Sequence, residues 1–141
     1  MNKSSRASAW RQDVEAIVRS SLGPASGLVV SASVEEDGYL ILTFHTSSST
    51  TAAPTHTERA EARIGTTGTG WILLDLDGRF ELREWYGDPE EERKTLTLLA
   101  RLAEAYLAGK GRDELKGAAF GRRRSELTLE LDGETYVFKK A

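Results

Sequence analysis

The fold is decided by residues 71–85, which read WILLDLDGRFELREW. Residues 71–76 are mostly apolar, residues 79–83 alternate polar and apolar side chains, and Asp77-Gly78 lies between the two runs. Alternation with a period of two is typical of a strand that buries one face, and Asp-Gly between two such runs is a strong signal for a tight hairpin turn. The stretch therefore predicts two antiparallel strands, at 71–76 and 79–85.

The same alternation predicts further strands on both sides of this hairpin. The full set of predicted strands is 28–35, 39–46, 58–64, 71–76, 79–85, 125–131 and 134–139. Two more hairpin turns are indicated by Glu36-Asp37-Gly38 and by Asp132-Gly133. Residues 47–57 are polar and include Pro54, which predicts a mobile loop, and a second loop is expected through Lys116-Gly117.

Two amphipathic helices complete the pattern. Apolar residues at helical spacing predict the first helix over 8–22, with residues 1–7 disordered and Gly23-Pro24 ending the helix. Asp88-Pro89 begins the second helix, since aspartate caps a helix, proline suits its first position, and the following three glutamates lie at the positive end of the helix dipole. This helix is expected to end near Ala108.

The order of elements is α-β-β-β-β-β-α-β-β. Consecutive hairpins favour a mostly antiparallel sheet of about seven strands, with both helices packed on one face. A chain of 141 residues suits one domain and can bury a sufficient core. We therefore predict a single α+β domain over residues 1–141.

Strand parity divides the apolar residues between two faces, because successive side chains of a strand point in opposite directions. The face expected beneath the helices carries Leu28, Val30, Ala32, Val34, Leu40, Leu42, Phe44, Ala60, Ala62, Ile64, Ile72, Leu74, Leu76, Phe80, Leu82, Leu127, Leu129, Leu131, Tyr136 and Phe138. The other face is mainly polar, yet it also carries Tyr39, Ile41, His45, Trp71, Leu73 and Trp85.

These six outer-face residues are the first candidates for partner binding. Tryptophan and tyrosine dominate the hot spots of protein interfaces, and a contiguous apolar patch on a protein surface often marks a partner site. The alternative is that the sheet curls strongly enough to make this face a second small core, or that the long loop covers it. The sequence leaves both interpretations open.

Two charged segments are secondary candidates for partner binding. Asp88, Glu90 and Glu91 form an acidic start to the second helix. Arg122, Arg123 and Arg124 could hold an acidic partner through forked hydrogen bonds. Adjacent arginines before a strand are also typical of edge protection against strand addition.

Composition excludes several classes of protein. The absence of cysteine removes disulfides and thiolate metal sites, and it favours a cytoplasmic setting. A net charge of −3 is too mild to indicate nucleic-acid binding. The polar, basic first residues predict no signal peptide, and no apolar run is long enough to cross a membrane.

No catalytic or metal-binding signature is present, so we expect neither an enzyme nor a cofactor. The two histidines, His45 and His56, lie in a predicted strand and a predicted loop, whereas metal sites usually need three or four spaced ligands. The glycine-rich segment 65–70 leads into a strand rather than a helix, so it does not form a phosphate cradle. Four acids could supply paired carboxylates, although alternating acids on a strand are usually solvated: Asp75, Asp77, Glu81 and Glu84.

The chain resembles one family in its middle third. Residues 70–75 (GWILLD), 83–89 (REWYGDP) and 105–109 (AYLAG) look like the central part of small actinobacterial immunity proteins of polymorphic toxin systems. The resemblance implies a cytoplasmic, non-catalytic protein that occludes one toxin. It is architectural, so it assigns no functional residues.

The sequence therefore predicts a non-enzymatic protein-binding domain, specifically an immunity-type inhibitor of a cognate bacterial toxin. The alternative is a chaperone or adaptor for a secreted substrate, because secretion chaperones have a similar order of helix, antiparallel sheet and helix, although they usually end in a third helix. A small enzyme that uses His45 is the third hypothesis.

Overall fold

The structure, a computed structural model, describes residues 3–23, 27–46, 59–117 and 123–140. Within these ranges it contains two helices and a single antiparallel sheet, so the predicted α+β class and the order of helix, strands, helix and strands are confirmed. The elements are α1 (Lys3–Ser21), β1 (Leu28–Val34), β2 (Leu40–Thr46), β3 (Glu61–Thr66), β4 (Trp71–Leu76), β5 (Phe80–Trp85), α2 (Pro89–Leu107), β6 (Arg112–Gly117), β7 (Arg123–Leu131) and β8 (Glu134–Lys140).

The strands lie side by side in the order β1-β2-β3-β4-β5-β8-β7-β6. The first five strands form an antiparallel meander in which each strand pairs with the next one along the chain. After α2 crosses the sheet, the chain returns so that β8 pairs with β5. Strands β1 and β6 therefore lie at the two edges of the sheet as described.

The Asp-Gly turns have the backbone that the sequence predicts. Asp77 and Gly78 have φ of 56° and 68°, and Asp132 and Gly133 have φ of 51° and 83°. Positive φ at both central residues is the mark of a type I′ turn, whose twist matches that of the two strands it joins. Glycine suits the second position because it adopts positive φ without steric cost.

The core lies between the helices and one face of the sheet. Buried side chains come from both layers: Val14 and Val18 from α1; Leu96, Leu99, Ala100, Leu102, Ala103 and Tyr106 from α2; and Val30, Leu40, Leu42, Phe44, Ala62, Ile64, Ile72, Leu74, Leu76, Phe80, Leu127, Leu129 and Phe138 from the strands. These strand residues belong to the face predicted to be covered. The parity assignment is therefore confirmed for the centre of the sheet.

Helix α2 begins as the sequence predicts. The side chain of Asp88 accepts a hydrogen bond from the backbone N–H of Glu91 at 2.8 Å. In return, Glu91 Oε2 accepts a hydrogen bond from the N–H of Gly87 at 2.7 Å. This reciprocal arrangement satisfies two backbone N–H groups at the helix start.

Asp77 connects the β4–β5 turn to its surroundings. Its carboxylate accepts hydrogen bonds from the backbone N–H of Glu61, at 2.8 Å, and from the hydroxyl of Tyr106 on α2. Burial, assisted by this bond to Asp77, raises the pKa of Tyr106 well above the usual tyrosine value. Arg59 lies over the Tyr106 ring, 4.5 Å from its centroid, and donates to the Tyr106 carbonyl at 2.9 Å. A turn residue thus fixes α2 against the sheet.

The structure corrects three local expectations. The loop predicted through Lys116-Gly117 is instead the strand β6, which pairs with β7. Helix α1 begins at Lys3, five residues before the predicted start, so residues 3–7 are helical. Gly65 and Thr66, predicted to lie in a turn, end β3. Thr66 is buried, and its hydroxyl donates to the carbonyl of Trp71 at 2.9 Å.

Three residues predicted to lie beneath the helices are exposed. Ala32 and Val34 on β1 face the helical side of the sheet by parity, but the helices do not cover that end of the strand. Ala60 precedes β3 and is also exposed. Parity fixes the face of the sheet on which a strand residue lies. Whether the helices bury that residue depends on how far the helical layer extends along the strand.

Some expectations concern residues outside the described ranges. The predicted loop 47–57, which includes His56, falls among them, and so does Arg122. Neither helix in the described part of the chain is long and apolar enough to cross a membrane.

The core assignment predicts the effect of Leu74→Asp. Leu74 is fully buried on β4, so an unpaired carboxylate at this position should cost several kcal/mol and unfold the protein. Leu73→Asp, one residue away on the opposite face, is the matched control and should melt much closer to the wild type. Thermal unfolding followed by circular dichroism measures both variants. Equal melting temperatures for the two would contradict the assignment of faces.

The helix cap predicts a smaller effect for Asp88→Ala. Loss of the acceptor for the Glu91 N–H and of a negative charge at the helix start should lower the free energy of unfolding by about 1 kcal/mol. Asp88→Ser, which keeps an acceptor, should recover most of this loss. Urea denaturation of the three proteins is the test, and an unchanged midpoint for Asp88→Ala would refute the capping role.

Candidate partner-binding surface

Five of the six outer-face candidates lie together on or next to strands β2, β4 and β5. Tyr39 directly precedes β2 and Ile41 lies within it, Trp71 and Leu73 lie on β4, and Trp85 ends β5. We call these five residues the aromatic patch. Strand β3 passes between β2 and β4, and it contributes Gly65 to the same face, opposite Ile41 on one side and Leu73 on the other.

The two tryptophans are direct neighbours across a strand pair. Trp71 on β4 lies opposite Trp85 on β5 in the antiparallel register. The Trp85 side chain is 68% exposed, the highest exposure among the large apolar residues of the described chain, whereas Trp71 is half-buried. The patch therefore combines the half-buried indole of Trp71 with the largely exposed indole of Trp85.

Tyr39 extends the patch toward β3. Its ring centroid lies 5.9 Å from that of Trp71, with the two planes tilted by 34°. This separation is within the range of favourable aromatic pairs. The Tyr39 hydroxyl occupies the space above Gly65, so a β-carbon on that residue would collide with it. Glycine in the middle strand is therefore what allows the Tyr39 ring to lie across β3.

Arg83, on β5, lies against Trp71 of the patch. Its guanidinium lies 5.2 Å from the Trp71 ring centroid, within the range of a cation–π interaction, and the residue pairs with Leu73 in the strand register. Sequence reasoning did not select Gly65 or Arg83. The parity that placed Trp85 on this face also places Arg83 there, so that signal was present for the arginine.

A shallow depression of about 130 Å³ lies beside the Tyr39 ring. Its lining residues are Tyr39, Ile41, Arg63, Gly65, Leu73 and Asp75. Burial raises the pKa of the Asp75 carboxyl, while the nearby Arg63 guanidinium acts in the opposite direction. Arg63 also forms an ion pair with Glu61 at 3.0 Å. The aromatic patch therefore has a charged border on one side.

His45 lies on the same face but apart from the patch. It is half-buried on β2, with Val29 opposite on β1 and Glu61 opposite on β3. It lies four positions along the strand from Ile41, a distance of about 13 Å. The structure therefore does not group His45 with the other five candidates.

The secondary candidates lie at separate places in the fold. Asp88, Glu90 and Glu91 are exposed at the start of α2, on the chain segment that follows Trp85. Arg123 and Arg124 lie at the beginning of β7, two strands away from β5 in the sheet. The acids are thus close to the patch in sequence, and the two arginines belong to another part of the sheet.

The exposure of Trp85 bears on the alternative that this face is a second core. A core tryptophan is mostly buried, and its removal typically costs about 3–5 kcal/mol of stability. With 68% of its surface exposed, Trp85 makes no such contribution. The outer face is therefore exposed to solvent at the end of β5.

Of the four carboxylates considered for catalysis, two face each other and the other two lie elsewhere. Asp75 and Glu81 face each other across β4 and β5 on the outer face. Asp77 is bonded to backbone N–H groups and to Tyr106, and Glu84 lies on the helical side of β5 by parity. Within the described ranges, no group of three or more histidine and acidic side chains is arranged to hold a metal ion.

Comparison of the chain with protein-family models, with curated proteins and with solved structures gave no match. The resemblance to immunity proteins therefore stays a prediction.

The position of His45 predicts that it is dispensable for activity. We expect His45→Ala to leave partner binding and biological activity within a few-fold of the wild type, because the residue lies outside the aromatic patch. Removal of a general base or a metal ligand typically lowers activity on the order of a hundredfold. Side-by-side assays of the variant and the wild type measure this, and a hundredfold loss would favour the enzyme hypothesis.

Proposed function

We propose that this protein is a cytoplasmic, non-enzymatic inhibitor of the immunity type, which binds and neutralises a cognate bacterial toxin through the aromatic patch. The observation that carries the proposal is the exposed Trp85 indole beside a supported Trp71–Tyr39 pair on an otherwise polar sheet face. An exposed tryptophan within a contiguous aromatic patch on a rigid surface is typical of a partner site.

The residue composition of the patch is that of the centre of a protein interface. Aromatic residues occupy the middle, while Arg63, Asp75 and Arg83 lie at its side. Standard interfaces bury about 800 Å² on each partner, with an apolar centre and a polar rim. The five residues of the patch would supply the centre, and the neighbouring strands would supply the rim.

Rigidity supports an inhibitory role. The patch lies on three strands of a continuous sheet, and α2 packs against the other face of two of them, β2 and β4. Side chains that are already ordered lose less entropy on binding, which favours tight association. An inhibitor that occludes a toxin needs a fixed surface of this kind, and it needs no chemistry of its own.

The partner can be identified directly. The purified protein, immobilised through its C-terminus, should capture a toxin domain from cells that express the neighbouring genes, with mass spectrometry as the readout. Co-expression of the captured toxin with this protein should restore growth. Capture of a secretion substrate that lacks toxicity would instead support the chaperone alternative.

Trp85→Ala tests the role of the patch. We expect the variant to bind the captured toxin about 30-fold more weakly, which corresponds to about 2 kcal/mol, because a buried aromatic anchor is lost. The melting temperature should change little, since the side chain is mostly exposed in the free protein. Calorimetric titration and thermal unfolding give the two quantities.

Val29→Ala is the matched control. Val29 is 42% exposed on the same sheet face, but it lies on β1 opposite His45, outside the patch. Its truncation should leave both affinity and stability near the wild-type values. The proposal fails if Trp85→Ala binds at full strength, or if it loses stability as a core variant does. The acidic start of α2 and the arginines of β7 would then be the next surfaces to test.

A further inference from the structure

The depression beside Tyr39 has a size that suits a single side chain. Its volume is about 130 Å³. Sites for small molecules and cofactors usually enclose about 300–1,000 Å³, and one water molecule takes about 30 Å³ of liquid volume. The depression therefore has room for roughly four water molecules. This is enough for the end of one unbranched side chain and too little for a metabolite.

The lining of the depression is apolar over most of its length. Tyr39, Ile41 and Leu73 are half-buried and line it. Gly65 lies between Ile41 and Leu73 in the register of β2, β3 and β4, and it leaves the floor without a side chain. Long charged side chains lay their methylene groups along apolar surface of this kind.

The charged residues of the lining are Asp75 and Arg63, which face each other across β3 and β4. The Arg63 guanidinium forms an ion pair with Glu61 at 3.0 Å, so its positive charge is shared between two carboxylates. Asp75 also faces Glu81 across β4 and β5. Like charges directly opposite each other in a sheet are destabilising. The region around Asp75 therefore carries an excess of negative charge.

The pKa of Asp75 shows that its charged form is poorly stabilised. Burial raises the pKa of this carboxyl, and the charges of Glu81 and Asp77 act in the same direction. The Arg63 guanidinium and the backbone N–H of Gly78 lower the pKa without cancelling the rise. A raised pKa means that the folded protein disfavours the carboxylate. A cation beside Asp75 would stabilise it.

The surroundings of the Tyr39 hydroxyl are also acidic. Burial raises the pKa of this hydroxyl, three carboxylates add to the rise, and one guanidinium opposes it. The carboxylates are those of Glu35, Asp75 and Asp37, and the guanidinium is that of Arg83. Charge of one sign around a concave site attracts a group of the opposite sign. The depression therefore favours a cationic group.

We propose that this depression is a subsite for a lysine or arginine side chain of the bound partner, with the Asp75 carboxylate as its counter-ion. The methylene groups of that side chain lie against Ile41 and Leu73, and its cationic end reaches Asp75. The ring of Tyr39 offers a cation–π contact on the way. A partner carboxylate in the same place would lie beside Asp75 and would have to displace Glu61 from Arg63.

This inference rests on the proposed function in one respect, since it takes the aromatic patch as a surface that a protein partner covers. It adds the chemistry of that partner, which presents a basic side chain next to the residues that contact the tryptophans. Asp75 becomes a residue that determines which partner binds.

Titration with amino-acid derivatives tests the subsite without a known partner. The probe is Nα-acetyl-lysine amide, and the control is Nα-acetyl-norleucine amide, which has the same straight chain without the ammonium group. NMR spectra of the isotope-labelled protein should show saturable shifts at Gly65, Leu73 and Asp75 with the lysine derivative, with a Kd of about 1–10 mM. The norleucine derivative should bind about tenfold more weakly or less, and Asp75→Asn should bind both derivatives equally poorly. Equal binding of the two derivatives to the wild type, or no saturable shift at these residues, overturns the proposal.

Asp75→Asn tests the subsite with the captured partner, because it removes the charge and keeps the shape of the side chain. Affinity should fall about tenfold or more. The melting temperature should stay at the wild-type value or rise, since a poorly stabilised charge is lost, whereas a structural role would lower it. Glu81→Gln removes the neighbouring charge and is the matched control, with an expected change in affinity below about threefold.

The same measurements separate this proposal from the proposed function. A captured partner that is not a toxin, yet needs Asp75 for binding, refutes the proposed function and supports the subsite. A toxin that needs Trp85 but binds Asp75→Asn at full strength supports the proposed function and overturns the subsite.

Discussion

The packing of α2 against the middle of the sheet is the interaction on which the rest of the structure depends. Leu99, Leu102 and Ala103 are fully buried against strand residues such as Leu74. Without this contact, a single sheet would have one large apolar face in water and would not be stable. The bond between Tyr106 and Asp77 then fixes the position of the helix along the sheet.

Because one face is committed to the helices, the other face is available for binding. Its aromatic residues are held in place by the same strands that carry the core, so Trp71 cannot move without disturbing Ile72 and its neighbours. Gly65 opens space for Tyr39, and Arg83 lies against Trp71. The outer surface is thus ordered by the backbone of the inner core, which suits recognition of a single partner.

Short-range chemistry explains what the sequence could predict. The Asp77-Gly78 turn and the Asp88 cap are encoded within a few residues, and strand parity correctly placed Trp71 and Trp85 together. The missed features depend on tertiary context. Strand β6 is short and flanked by glycine, Gly65 belongs to a strand although glycine is typical of turns, and the exposure of Val34 depends on how far the helical layer extends. Strand parity also grouped His45 with the patch, because parity indicates the face of the sheet on which a residue lies and not its position along the strand.

Hydroxyl-radical labelling of the free protein and of its complex with the captured toxin tests whether the aromatic patch is the binding surface, since it reports the accessibility of individual side chains. We expect labelling of Trp85 and Tyr39 to fall several-fold in the complex, while labelling of Trp10, between the helices, is unchanged. Unchanged labelling of Trp85 in a saturated complex, with protection confined to the helical layer, would contradict the assignment of the aromatic patch as the binding surface.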